Sequence, residues 1–341
     1  MLILGIESSC DDTAVALVRN GRQVLGSLVS SQVHLHRKFG GVVPEVASRK
    51  HLENILPLVD KLLKTTRIKL SQIDAIAVTS GPGLSGSLLV GLNTAKALAY
   101  LWKKPLIEVD HLAAHIYSNW IERKLPAKFP MLALIVSGGH TELVLMKSYT
   151  NLVVVGATLD DAVGEAFDKA AKLLGLGYPG GPAIAAAAAN VQYPISNREK
   201  EMVRLPRPML EEGLTMSFSG LKTALARAAK GGRVPALAHE FQEAVTDVLV
   251  TKVARAINRY QPRALLLAGG VAANQVLRKK LRGLARREKL PYYIPELKYC
   301  MDNAAMVALA AYFLKGKRGR GWYNVEVKTN SWQLKYERRN S

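Results

Sequence analysis

Cysteine is nearly missing from this chain: among 341 residues only Cys10 and Cys300 occur. Two isolated thiols exclude a disulfide framework, and the scarcity fits a reducing cytosol. Long hydrophobic runs are missing as well. None approaches the roughly 18 apolar residues needed to cross a bilayer, so a soluble, cytoplasmic chain without a membrane partner is expected. The opening MLILGI is short, carries no basic leader and runs straight into Glu7, Ser8 and Ser9. It reads as a first strand rather than a signal peptide. Negative charge is the third shortage. Asp and Glu number 27 against 47 Lys and Arg, a formal net charge of +20. Such a surplus points to a polyanionic partner such as a nucleic acid, and a generally basic proteome or a solubility effect accounts for it equally.

What is present describes a globular protein, with 49% hydrophobic and 22% charged residues and enough length for two domains. Basic residues cluster late: Arg278, Lys279, Lys280, Arg282, Arg286, Arg287 and Lys289, then Lys315, Lys317, Arg318 and Arg320, then Lys335, Arg338 and Arg339. Trp322, Tyr323, Trp332 and Tyr336 are interleaved near the end. They either stack on bases or dock the C-terminus on the body.

One signature occurs twice, ILGIESSCDDTAVALV at 3–18 and ALIVSGGHTELVLM at 133–146. Each is an apolar run, a polar or glycine-rich turn and a second apolar run, the pattern of a β-hairpin with an exposed turn. Each opens a three-stranded meander, over 2–9, 14–19 and 22–30 with Asn20-Gly21 as a hairpin turn, and over 131–137, 142–147 and 151–156. Apolar spacing predicts a helix over 46–65, a strand over 73–79, and then GPGLSGS leading into a helix that ends near 101. That glycine loop either brings N–H groups to an anion or serves tight packing. The second half repeats the plan. A helix over 161–174 and the loop GLGYPGGP at 175–182 precede a long helix carrying Leu237, Phe241, Val245, Val248, Leu249, Val253 and Ile257. The strand 264–268 then runs into GGVAAN and another helix.

Two similar halves predict an α/β fold of the duplicated actin-like (ASKHA, ribonuclease H-like) two-lobe class, with a ligand cleft between lobes. Two unrelated α/β domains are the alternative. The lobes are expected at 1–110, completed by 304–330, and at 111–303 with a helical insertion near 183–232, followed by a basic tail at 331–341.

His111 and His115 in HLAAH stand four apart, on one face of a helix, a spacing that suits two nitrogen ligands of a divalent metal. Two histidines that merely share a face fit the same spacing. Leu112 occupies the place of the general-base Glu of HExxH, which removes ordinary zinc proteolysis. Asp302 in CMDNAAM is a candidate third ligand, or the N-cap of a helix starting near Asn303. The turn Ser137-Gly138-Gly139-His140 can hold a phosphate or be a polar hairpin tip. Asp161, Glu165 and Asp168 form one acidic helical stripe, which is solvated or meets a ribose hydroxyl or an amine. Asn274 can reach a nucleobase or sugar from a helix start.

Taken in order, GIESSCDDT, GPGLSGSL, HLAAH, VSGGHTEL, GLGYPGGP, SFSGLKTA, AGGVAAN and CMDNAAM resemble the tRNA N6-adenosine threonylcarbamoyltransferases of the bacterial TsaD family, once described as O-sialoglycoprotein endopeptidases. The resemblance implies transfer of a threonylcarbamoyl group from threonylcarbamoyl-adenylate to the adenosine just 3′ of the anticodon. It implies a divalent metal, iron(II) in preference to zinc, on His111, His115 and Asp302. Adenine-nucleotide contacts, to ATP or the acyl-adenylate, are implied for Val136, Ser137, Gly138, Gly139, His140, Asp168, Gly181 and Asn274. Asp11 or Asp12 is the expected acceptor of the amine proton. Implied partners are tRNA, a smaller paralogous TsaB-like subunit, a TsaE-like ATPase and a separate synthase of the intermediate. Two positions depart from the family pattern: Asp11-Asp12-Thr13 replaces DET, and Ala185 replaces a common Asp. A glycoprotein endopeptidase and an actin-like ATPase scaffold are the rival readings.

Overall fold

The structure, a computed structural model, describes residues 1–124, 128–190, 204–229, 233–314 and 322–337. The chain forms two compact units, one of Met1–Ala127, Lys147–Leu152 and Pro295–Lys335, the other of Lys128–Met146, Val153–Ile294 and Tyr336–Ser341.

In the first unit β1 (Leu2–Glu7), β2 (Asp12–Arg19) and β3 (Gln23–Ser31) form the expected meander. Asn20 and Gly21 take φ of 53° and 60°, the left-handed pair that a tight hairpin turn requires. Strands β4 (Ala75–Gly81) and β5 (Leu106–Asp110) add in parallel, giving the order β3-β2-β1-β4-β5. Every residue of β1 is buried, which explains why it reads as an uninterrupted apolar run. Leu2, Leu4 and Ile6 share a core with Ile55 of the helix Pro44–Thr66 and Leu92 of the helix Ser85–Leu101. On the other side of β1, Gly5 lies so close to Ala304 and Ala308 that a Cβ would sit 2.2 Å from the Ala304 carbonyl oxygen. The glycines of GPGLSGS serve packing: at Gly83 a Cβ would meet the Ser9 carbonyl oxygen at 2.5 Å.

The second sheet repeats the order. Strands β6 (Met131–Val136), β7 (Thr141–Ser148) and β8 (Asn151–Ala157) make the meander, β9 (Leu265–Ala268) adds parallel to β6, and β10 (Tyr292–Tyr293) parallel to β9. With β11 (Leu334–Tyr336) at the edge, the sheet runs β10-β9-β6-β7-β8-β11. Read from β8 to β10, this is the connectivity of the first sheet, so the chain has the duplicated actin-like α/β architecture. The helices Gly180–Ala189 and Ser219–Ala228 of the expected insertion pack against the helix Val234–Tyr260. That long helix buries all seven apolar residues named from its spacing.

The division between units differs from the expected one. HLAAH and CMDNAAM belong to the first unit because the helix His111–Tyr117 packs against the helix Ala304–Leu314. Segment 331–335 is also part of that unit, through hydrogen bonds to Asp110. Lys315, Lys317, Arg318, Arg320, Arg338 and Arg339 lie outside the described residues, as do 191–203 and 230–232 of the insertion. Among the described residues no helix is long and apolar enough to cross a membrane.

Candidate functional site

Strand β5 ends at Asp110, whose fully buried carboxylate organises its surroundings. Oδ1 accepts from the amides of Leu112 at 3.0 Å and Ala113 at 3.1 Å, the N-cap of the helix His111–Tyr117. Oδ2 accepts from the Ser331 hydroxyl at 2.7 Å and the Trp332 amide at 2.8 Å. The cap fixes where the helix begins and so puts the two imidazoles on one face, with centroids 4.6 Å apart and planes at 79°.

Before the helix Ala304–Leu314 the cap role falls to Asn303, whose Oδ1 accepts from the Met306 amide at 2.9 Å. Asp302 is therefore not the cap. Its Oδ1 lies 3.6 Å from His111 Nε2 and 3.2 Å from His115 Nε2, and one donor atom from each of the three residues falls within 4.8 Å of the others.

Glu7, a residue that sequence reasoning gave no role, holds the far side of His111. Its Oε2 lies 3.1 Å from His111 Nδ1 and accepts from the Thr79 hydroxyl at 2.6 Å, while Oε1 accepts from the Ser9 amide at 2.7 Å. Burial opposes ionisation of Glu7, but the charge and hydrogen bond of His111 outweigh it and hold the carboxyl below its usual range. Burial likewise opposes a charge on His111, and Asp302 and Glu7 overcome it, pushing the imidazole up to about 9. With Nδ1 engaged by Glu7, Nε2 is the nitrogen presented to Asp302.

His115 is fully buried, and among the described residues neither of its ring nitrogens finds a hydrogen-bond partner. Nε2 is close to Asp302 but out of hydrogen-bond alignment. An orphaned buried nitrogen costs about 1–3 kcal/mol, a cost that coordination to a cation removes. Two imidazoles and one carboxylate are a donor set that suits divalent iron or zinc, so these residues fit a metal.

The first hairpin turn adds carboxylates to the same unit. Burial, with the charge of Asp302, raises Asp11 above its ordinary range. Asp12 is pushed to about 7, chiefly by burial, and among the described residues its Oδ1 has no hydrogen-bond partner. His51, unremarked in the sequence, braces the turn: Nδ1 pairs with Thr13 Oγ1 at 2.8 Å and Nε2 with the Cys10 carbonyl at 2.9 Å. Burial lowers its pKa.

In the second unit Val136 ends β6, and the turn after it closes on itself, the His140 amide donating to Ser137 Oγ at 3.1 Å. Among the described residues no atom lies within 4 Å of where a Cβ would stand on Gly138 or Gly139. The helix Val163–Leu173 begins against this turn, the Gly164 amide donating to the Ser137 carbonyl at 3.1 Å. A Cβ at Gly164 would meet that oxygen at 2.7 Å. Asp168 accepts from the Gly180 amide at 2.6 Å at the start of the helix that also carries Gly181. Asn274 caps its own helix, accepting from Leu277 at 3.0 Å, and donates to Gln242 Oε1 at 2.9 Å. The acidic stripe is partly neutralised, since Lys169 pairs with Asp161 at 2.6 Å and Glu165 at 2.9 Å. Asp160, also unremarked, accepts from Ser217 at 2.5 Å and from the Phe218 amide at 2.8 Å, tying SFSG to the end of β8.

Two of the four late aromatics dock the tail. Trp332 Nε1 donates to Ser80 at 3.1 Å, and Tyr336 hydrogen-bonds Glu142 at 3.2 Å. On the helix Gln275–Arg287, Lys280 is spent on Glu243 and Asp247, at 2.8 and 2.6 Å, whereas Lys279, Arg282, Arg286 and Arg287 are exposed.

A family model for TsaD, tRNA N6-adenosine threonylcarbamoyltransferase, matches residues 23–309. The chain belongs to the TsaD family. It is 49% identical to the tRNA N6-adenosine threonylcarbamoyltransferase of Thermomicrobium roseum, over 96% of this chain and 95% of that one. Identity to the enzyme of the same name from Dehalococcoides mccartyi is 50%, over 93% and 95%. HypF of T. kodakarensis is similar in fold alone, with a TM-score of 0.61 at 15% identity over 92% of this chain and 48% of that one. As a TsaD family member the protein is a transferase of tRNA modification, and the endopeptidase and scaffold readings find no support. Leu112, where a zinc peptidase carries its base, is wholly buried.

Proposed function

We propose that the chain transfers a threonylcarbamoyl group from threonylcarbamoyl-adenylate to N6 of the adenosine just 3′ of the anticodon, in tRNAs that read codons beginning with A. The observation that carries this reading is the 49% identity, across nearly the whole chain, to a transferase of that name. The reaction is acyl transfer from a mixed anhydride to a weak amine nucleophile, with AMP leaving. Holding donor and amine together removes much of the entropic barrier.

His111, His115 and Asp302 would hold one divalent metal, iron(II) in preference to zinc, which supplies Lewis acidity toward the donor. Glu7 orients His111 for that role. The turn from Val136 through Ser137, Gly138 and Gly139 to His140 cradles the phosphoryl group with backbone N–H donors. Asp168, Gly181 and Asn274 hold the ribose and adenine side. Asn274 has one amide hydrogen and one lone pair beyond its structural bonds. Asp11 or Asp12 receives the amine proton. A carboxyl poised near 7 with an unpartnered oxygen favours Asp12.

Exposed Lys279, Arg282, Arg286, Arg287 and Lys289 contact the tRNA backbone, giving affinity without sequence information. A smaller TsaB-like subunit, a TsaE-like ATPase and a separate synthase of the adenylate complete the cytoplasmic system. Leu52 and Leu56, exposed one turn apart on the helix Pro44–Thr66, offer an apolar contact to such a subunit. The deciding experiment incubates the protein with synthetic threonylcarbamoyl-adenylate and unmodified tRNA, with and without candidate partners. Nucleoside analysis should show threonylcarbamoyladenosine, and its absence from every combination would overturn the reading.

A further inference from the structure

Wholly within the first unit, and lined by none of the candidate site residues named above, lies a cavity of about 730 Å³ at the hairpin turn between β2 and β3. Its rim is cationic, with Arg19 and Arg22 from the hairpin and Arg123 and Lys124 from the loop after Trp120, and among the described residues no carboxylate lines it. Among the described residues Arg19, Arg22 and Lys124 make no ion pair, so their charge is not already neutralised. Hairpin and loop are fixed to each other by the Glu122 amide, which donates to the Arg22 carbonyl at 3.0 Å. Gly21 packs on Tyr312, where a Cβ would be 2.2 Å from the ring, so the hairpin seats against the helix Ala304–Leu314.

The other wall is aromatic. Tyr149 and Phe313 stack at 4.3 Å with planes 10° apart, and Tyr117 continues the column beyond Phe313 at 5.2 Å and 16°. Trp120 meets Tyr149 edge-on at 5.9 Å. Tyr117 donates from its hydroxyl to the Tyr149 carbonyl, which anchors the β7–β8 turn and sets the ring of the column that lines the cavity. A column of flat rings beside three uncompensated cations suits a ligand that is aromatic at one end and anionic at the other. A lone phosphate has no use for the rings, and an acidic peptide has no flat face to stack.

We propose that this cavity is a stacking subsite for one unpaired nucleotide of an RNA strand, with its base against Tyr149 and its phosphate among Arg19, Arg22 and Lys124. The inference rests on the reading that the chain acts on tRNA, and it adds a second place where that RNA is gripped. Stacking on an aromatic side chain tolerates any base, so this subsite contributes affinity and position rather than sequence choice.

The test measures binding of unmodified tRNA, a single-stranded RNA hexamer, AMP and an oligoglutamate peptide to the full chain over a salt series. Arg22→Ala with Lys124→Ala, both at exposed positions, should weaken tRNA and hexamer binding about tenfold and flatten the slope of log K against log salt by about 1.4, two charges' worth for single strands. Tyr149→Leu should weaken hexamer binding at least about fivefold with the slope unchanged, and Tyr149→Trp should restore it. The Trp variant also guards against misfolding, since a damaged unit would not recover. Unchanged affinity and slope in all variants overturn the proposal. So does oligoglutamate that competes as well as RNA, or AMP that binds there without displacing the hexamer. Threonylcarbamoyl transfer is assayed separately. A wild-type chain that modifies tRNA while the variants bind normally defeats only this subsite, whereas RNA binding at the cavity without transfer defeats only the reaction.

Discussion

Glu7 Oε2 and His111 Nδ1 lie 3.1 Å apart although 104 residues separate them in sequence. The contact joins the end of the first strand to the first residue of HLAAH and makes the three-residue cluster a four-residue one. Glu7 takes three donors, from Ser9, Thr79 and His111, on two oxygens. Glutamine has one acceptor oxygen and a donor amide, so Glu7→Gln strands at least one of them. Metal affinity, measured by chelator competition, should fall about 10- to 100-fold. Unchanged affinity would show that Glu7 does not orient His111.

His111→Ala and His115→Ala should each lose bound metal and transferase activity together. Chelation of the wild-type chain should lower Tm, because a ligand bound only to the folded state stabilises it. In His115→Ala the same chelator should leave Tm unmoved. Full metal content with full activity in both variants would sink the ligand assignment.

Asp12 provides a pH test with a defined sign. Its folded pKa of about 7 exceeds the ordinary 3.8. The folded chain therefore binds more protons than the unfolded chain between those values, and stability falls as pH rises through that window. In chelator-treated protein, Asp12→Asn should leave urea unfolding at pH 4 nearly unchanged and stabilise the chain at pH 8 by about 1–3 kcal/mol. A difference independent of pH would mean that the carboxyl is not held protonated.

Lys252 is a buried cation on the helix Val234–Tyr260, and its ammonium donates to the carbonyls of Met209, Glu212 and Gly213. Burial lowers its pKa, yet the three acceptors occupy all of its donors. Lys252→Met should cost about 1–3 kcal/mol by leaving those carbonyls unsatisfied. Hydrogen exchange should rise first around 209–214.

Arg282→Ala with Arg286→Ala, both exposed, should weaken tRNA binding and flatten its salt slope by about 1.8 if they touch the phosphates of a duplex stem. Binding with the same slope as wild type would remove the helix Gln275–Arg287 from the RNA surface.

The elements legible in sequence were those with strong local signals. Asn20-Gly21 marked a hairpin because only a left-handed pair fits that turn, and apolar spacing over 46–65 and from Leu237 to Ile257 announced the helices Pro44–Thr66 and Val234–Tyr260. The histidine pair was legible because i and i+4 share a helix face whatever surrounds the helix. Roles assigned by proximity were not legible. Asp302 and Asn303 are neighbours with similar capping ability, and only the placement of the helix Ala304–Leu314 gives the cap to Asn303 and turns Asp302 toward the imidazoles. For Trp332 and Tyr336 docking is the commoner outcome than stacking on bases, but only the structure supplies the partners, Ser80 and Glu142.

By itself, then, the sequence determined the repeated meander, the connectivity class and membership of a family whose motifs lie in order along most of the chain. These depend on local propensity, period and motif order, which survive being read one residue at a time. The tertiary structure alone decided that Glu7 backs His111 and that His115 is fully buried. It also brought Arg19, Lys124 and Tyr149 to one cavity. Glu7 and His111 stand 104 positions apart, and distance along a chain says nothing about distance in space until the strands between them have paired.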